Sequence, residues 1–192
     1  MEKKFFRLVT NAYDNVGGLL YAPKGVYRLA VDGEPVKNWE NIIMKLKDGL
    51  YTDFSSCVGG ANLVSIEFKE VVEKFIPNDY PLEFLPVKAE SEKYGNRTYY
   101  IMHFKKIFDV IDKRHTVYVD GTDCVIKVCL DYQKSKDLHI FNTQPAINDV
   151  IVSGELRRML RKYKLDLGFV FHELPYYDYG KKRYFKLWQK EL

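Results

Sequence analysis

The chain has 192 residues, 46% hydrophobic and 29% charged, with 30 Lys/Arg against 26 Asp/Glu for a net charge of +4. That balance excludes a disordered polymer, and a chain of this length buries roughly 70% of its unfolded surface without help from disulfides or metal. The cysteines Cys57, Cys124 and Cys129 show no CxxC spacing, which predicts buried thiols in a reducing compartment. In chain order, FFRLVT (5–10) and VYRLAV (26–31) read as strands, rich in β-branched and aromatic residues and bounded by Gly, Pro and Asn. DGEP (32–35) is a turn, VKNWENIIMKLKDG (36–49) a short helix or a wrapped segment, and TDFSSCVGGAN (52–62) a loop.

LVSIEFKEVVEKF (63–75) carries a helix signature. Ser65 is placed as an N-cap, Glu67 complements the positive helix end, and Phe68, Val71, Val72 and Phe75 recur at the spacing of one buried face. Pro77 and Pro81 stop the helix, and LEFLPV (82–87) is a short strand. The central parts of RTYYIMHFKKIFDVID (97–112), TVYV (116–119), CVIKVCLDY (124–132) and LHIFNT (138–143) read as further strands, with the Lys-Lys part (105–106) a strand end or short helix.

The pattern then returns in IVSGELRRMLRKYKLDLGFVFHEL (151–174). Ser153 is the cap, Glu155 the first-turn acid, and Leu156, Met159, Leu160 and Tyr163 the apolar face, with Arg157, Arg158, Arg161 and Lys162 on the solvated side. These features predict an α+β fold: a mixed, mostly antiparallel sheet with two related helix–strand units packed on it. One domain is expected over residues 1–192, with repeat-like units around 60–87 and 148–175. If the units are related, residues 63–87 and 151–174 share one helix–strand geometry.

The search for chemistry yields no catalytic residue, no metal set and no cofactor motif. His103, His115, His139 and His172 lack zinc spacing, and the paired glycines 17–18 and 59–60 have neither dinucleotide nor P-loop order. His172 and Glu173, adjacent on a strand, point to opposite faces. Cys124 and Cys129 stand beside no visible base and read as core thiols.

The 15 tyrosines are the less ordinary feature, because Tyr offers contact area and a hydroxyl at low entropic cost. Tyr176, Tyr177 and Tyr179, in a stretch with strong turn signals that reads as a turn, and Trp188 in the tail are the expected exposed anchors for a protein partner. From Ile151 onward there are ten Lys/Arg against five Asp/Glu, and before it 20 against 21, so the positive excess lies at the end. The basic–aromatic run KKRYFKLWQK (181–190) is short and the rest of the chain near neutral, so a nucleic-acid partner is not expected. No apolar run approaches the roughly 18 residues of a membrane span. A cytoplasmic protein with no membrane partner is therefore expected.

A series of segments carries a family resemblance: GEPVKNW (33–39), LYTDF (50–54), LVSIEFKEVVEKF with LEFLPV, YYIMHFKKIFDVID (99–112), HIFNT (139–143) and IVSGELRRMLRKYKLDLGFVFHEL. In this order, over Gly33 to Leu174, they resemble an immunity-protein family of bacterial polymorphic toxin systems, long catalogued as a domain of unknown function. The resemblance implies a non-enzymatic protein that binds and neutralises a cognate toxin domain in the cytoplasm, with no catalytic residues to carry over. The basic end departs from the acidic character common among proteins that neutralise nucleases. The alternatives are a general protein-interaction module without a toxin partner, and an enzyme with a site assembled from distant residues. A deep pocket holding two or more of the four histidines with carboxylates would favour the enzyme.

Overall fold

The computed structural model describes residues 3–10, 20–21, 32–36, 38–40, 42–47, 49–56, 61–144 and 149–185. Along the chain run β1 (Phe5–Thr10), β2 (Leu20–Tyr21), β3 (Ile42–Leu46), β4 (Phe54–Ser56), β5 (Asn62–Ser65), α1 (Ile66–Glu73), β6 (Leu82–Glu90) and β7 (Arg97–Phe104). Then follow β8 (Val117–Tyr118), β9 (Val125–Lys127), β10 (Leu130–Asp131), α2 (Tyr132–Ser135), β11 (Ile140–Phe141), β12 (Ile151–Ser153), α3 (Gly154–Lys162), β13 (Phe169–Leu174), β14 (Tyr176–Asp178) and β15 (Arg183–Phe185). The fold is α+β, mostly antiparallel, with helices packed on the sheets.

Both predicted helices form, and for the predicted reason. Ser65 and Ser153 have extended backbone, with φ of −65° and −71°, and each hydroxyl accepts the amide three residues on, from Phe68 and Leu156, at 3.2 Å. Phe68, Val71 and Val72 bury one face of α1, and Leu156 and Leu160 the matching face of α3. The helices meet in a core shared with Phe6, Phe54, Val64, Val152 and Phe169. Tyr163 does not complete the α3 face: it caps the helix and is exposed. Arg157 also leaves the solvated side, laying its guanidinium 4.2 Å from the centre of the Phe6 ring.

The two helix–strand segments share their geometry down to the register. In the first, β5 and β6 both pair antiparallel with β7, in the row Ser65–Tyr99–Val87. In the second, β12 and β13 both pair antiparallel with β1, in the row Ser153–Phe5–Leu174. Each unit is thus two parallel strands joined by a helix and split by a third strand between them. The middle strand comes from just downstream in the first unit and from the start of the chain in the second.

The match extends to both flanks. On one side β4 pairs with β5 as Phe54↔Val64, and β11 pairs with β12 as Ile140↔Val152. On the other side β3 lies parallel on β6 as Met44↔Ala89, while β10 lies parallel on β14 as Leu130↔Tyr176. Aligning Val87 with Leu174 puts Ala89 on Tyr176, so β13 and β14, broken at Pro175, together correspond to β6. The pre-strand loops are also reciprocal. Leu167 bonds Asp53 of the first unit twice, its carbonyl accepting the Asp53 amide at 3.1 Å and its amide donating to the Asp53 carboxylate at 3.2 Å, and Tyr80 donates its hydroxyl to the Ile140 carbonyl of the second.

Several expectations are corrected. Residues 42–46 form a strand, not a helix, because Ile42, Met44 and Leu46 alternate inward between exposed Ile43 and Lys45. CVIKVCLDY divides into β9, β10 and the start of α2 rather than one strand, and Cys124 is exposed at the β8–β9 turn while Cys129 is buried. Cys57 and the predicted strand at 26–31 lie outside the described residues. Among those residues no helix is long and apolar enough to cross a membrane.

Candidate functional site

Asp112 organises the surface at the end of the second unit. Its amide donates to the Cys129 carbonyl at 2.9 Å, and its own carbonyl accepts the amides of His115 and Thr116. Its carboxylate, almost fully buried, accepts the Arg114 amide at 3.0 Å and lies 2.6 Å from His115 Nδ1. An aspartate that bonds the backbone two residues on fixes a tight turn, so residues 112–116 present the imidazole in one orientation. A third donor arrives from far along the chain, the Tyr179 hydroxyl at 3.2 Å from Oδ1. Loss of hydration, followed by that bond to Asp112, raises the Tyr179 pKa above its ordinary value.

Three tyrosines enclose the His115 ring. Tyr177 stacks on it with centroids 4.2 Å apart, Tyr184 meets it edge-on at 4.8 Å, and Tyr179 lies at 6.2 Å. The strand geometry explains the grouping. Tyr177 and Tyr179 are two apart and share a face, and Tyr184 is the cross-strand partner of Tyr177 in the β14–β15 hairpin. Asp178, between them, points inward and accepts Gln133 Nε2 at 3.0 Å and the Gly180 amide at 2.9 Å, closing the hairpin turn. Burial opposes ionisation of that carboxyl, but the bonds from Gln133, Lys181 and Gly180 together hold its pKa below the ordinary value.

Of the four predicted anchors, Tyr177 and Tyr179 belong to this face, half-buried and 40% exposed respectively. Tyr176 is a correction: it is only 3% exposed, stacked on Tyr132 at 5.0 Å and edge-on to Phe5 at 6.0 Å. It sits in a strand whose alternation turns it into the core, where sequence suggested a turn. Trp188 lies outside the described residues. His115 and Tyr184, the latter 41% exposed, were not singled out by sequence, since His115 lies 62 or more positions before the tyrosines it meets.

The histidines are dispersed. His103 is fully buried against Glu83 at 2.7 Å, His172 is exposed on β13, and no histidine is among the described lining residues of the groove beside Phe108 and Asp123 or of the one beside Lys45 and Glu92. His139 Nδ1 lies 3.0 Å from Ser153 Oγ and 3.5 Å from Glu155, a grouping that resembles a nucleophilic triad by composition. Two features remove that chemistry. Both partners address the same ring nitrogen, whereas a relay needs opposite ones, and Ser153 is fully buried while its hydroxyl caps α3. The first unit has Asp53 at the matching position, 3.3 Å from Ser65 Oγ, so this contact locks a helix cap. Cys129, near Asp112, is no activated nucleophile either: burial first, and the Asp112 charge second, push its thiol up to about 12. Among the described residues no group of three His, Cys, Asp or Glu could hold a metal ion.

No family model matches this chain, and no curated protein shows significant similarity to it. The His115 face is therefore read from its own geometry. It is an imidazole held by a buried carboxylate and framed by three tyrosines, two of them well exposed. Rigid aromatic area with hydroxyls and a fixed imidazole suits contact with a protein surface.

Proposed function

We propose that this chain is an immunity protein, which binds and neutralises a cognate bacterial toxin domain in the cytoplasm without catalysing a reaction. The observation that carries the reading is the tyrosine face around His115: pre-ordered, partly exposed and unattached to any nucleophile described above. Such a surface loses little side-chain entropy on binding, because Asp112, Asp178 and the hairpin already fix its rings. The run of segments from Gly33 to Leu174 adds support through the family it resembles. Tyr177 and Tyr179, with Tyr184, are the contacts assigned to the partner.

The test is a co-purification of the tagged full chain at native level from its own host, with bound proteins identified by mass spectrometry. The expected result is one protein with a toxin-like C-terminal domain encoded nearby, and co-expression that protects cells from that domain. Recovery of housekeeping proteins alone, or a captured toxin whose activity is unaffected, overturns the reading.

A further inference from the structure

The matched register of the two units separates what the scaffold requires from what has been placed on it. With Ala89 aligned on Tyr176, Glu90 corresponds to Tyr177, and counting on, Glu92 corresponds to Tyr179. The hairpin partners Ala89↔Arg97 and Tyr176↔Phe185 place Asn96 opposite Glu90 as Tyr184 is opposite Tyr177. In the first unit these polar residues, with Lys45 and Lys47, line an open groove of about 650 Å³. The same strand ends are thus built there without a single aromatic at the three positions. The fold does not call for Tyr177, Tyr179 and Tyr184, so their presence together in the second unit calls for another explanation.

Charge indicates what they meet. Lys113 and Arg114 on the turn, and Lys181, Lys182 and Arg183 on the hairpin, are exposed. The carboxylates of the same segments face inward. Asp112 and Asp178 are buried and hydrogen-bonded; on neighbouring segments the half-buried Asp131 caps α2 through the Gln133 amide at 2.9 Å, and the exposed Asp109 and Asp123 share a groove with Lys113. The face therefore shows tyrosine rings and imidazole to solvent beside the positive charges of Arg114, Lys181, Lys182 and Arg183, an arrangement complementary to negative charge interspersed with apolar side chains.

From this geometry we infer that the Tyr177–Tyr179–Tyr184–His115 face docks an acidic segment of a protein partner. The inference rests on the binding role proposed above and names the chemistry the partner brings. Arg114 and the hairpin lysines draw the aspartates and glutamates of that segment, and the exposed sides of Tyr179 and Tyr184 pack against its apolar side chain.

The full chain is titrated, by fluorescence anisotropy, with a labelled peptide of alternating aspartate and glutamate around a central phenylalanine, and separately with labelled oligothymidylate. The peptide is expected to bind saturably, about tenfold more weakly at physiological than at low salt. Arg114→Glu with Lys182→Glu, both at exposed positions, is expected to abolish binding, and Tyr179→Ala with Tyr184→Ala to weaken it about tenfold. Arg158→Glu with Lys162→Glu, on the exposed side of α3, leaves it unchanged and controls for net charge. Equal loss in that control, tighter binding of oligothymidylate, or no binding of the peptide overturns the inference. If a toxin is captured undiminished by the Tyr179→Ala, Tyr184→Ala chain, the face is wrong and the immunity reading stands. If the face binds the peptide but the chain captures no toxin, the immunity reading fails alone.

Discussion

At the scale of single residues, the strongest determinants are the two serines and the groups that hold them. Ser65 and Ser153 each satisfy a first-turn amide that would otherwise be buried unpaired. Replacing either by Ala is expected to cost about 1 kcal/mol in denaturant unfolding. Their second partners differ, and so does the response to pH. Burial first, then the nearby Lys3 charge, lowers the His139 pKa from 6.5, so the folded state favours neutral imidazole. Its contribution is fully present above 6.5 and is lost as pH falls through the lower folded value. Unfolding midpoints of the native chain should therefore fall between pH 7.5 and 5.5 by more than those of His139→Asn; identical slopes would exclude His139 as the source. At Asp53 the analogous carboxyl is moved up by burial, so its contribution has the opposite dependence: present at acid pH and lost as pH rises through its folded value.

At the scale of elements, close approach decides where glycine is required. Gly168 enters β13 with φ +91°, and a Cβ there would lie 2.5 Å from Thr52 Cβ, at the point where Leu167 bonds to Asp53. Gly168→Ala meets both backbone strain and a clash with packed structure, and is expected to cost about 2–4 kcal/mol. Gly121→Ala, at φ +74° with nothing within 4 Å, bears the conformational strain alone and should cost about 1–2 kcal/mol, both variants being compared by urea unfolding. What the sequence reveals about elements follows the same line between local and distant causes. The serine caps, most of the two helical faces and the strands β6 and β7 are written in adjacent residues and form in the expected places, although β6 runs on to Glu90 past the six residues expected of it and β7 stops at Phe104. Pro86 is tolerated inside β6 because its position faces the sheet margin, where Trp39 Nε1 donates to its carbonyl at 2.8 Å. The β14 strand was hidden by its own turn: Asp178, Tyr179 and Gly180 read as loop, yet Asp178 faces inward to close the hairpin. The His115 face was illegible because no local pattern shows that β10 lies parallel on β14, and that pairing brings residues 130–131 alongside 176–177.

At the scale of the whole molecule, the repeated units are not independent, and their coupling is visible in where the chain crosses between them. The central strand of the second sheet is β1, supplied from the start of the chain, while the first unit lies in the middle of it. One apolar core takes α1 and α3 together, so neither helix can bury its face without the other. Asp32 adds a polar clasp, accepting the Phe104 amide at the end of β7 and Asn142 Nδ2 just past β11, both at 2.9 Å. Asn142 is itself fully buried, and its Oδ1 has no partner among the described residues, so the amide takes its orientation from Asp32. Asp32→Ala would strand a buried amide in each unit, at an expected cost of about 2–3 kcal/mol. Because the core is shared, that loss should lower the midpoint of a single transition rather than split it, with helical circular dichroism and tyrosine fluorescence still coinciding. Two separated transitions in the variant would mean that the units fold on their own and that the shared core contributes less than its burial implies.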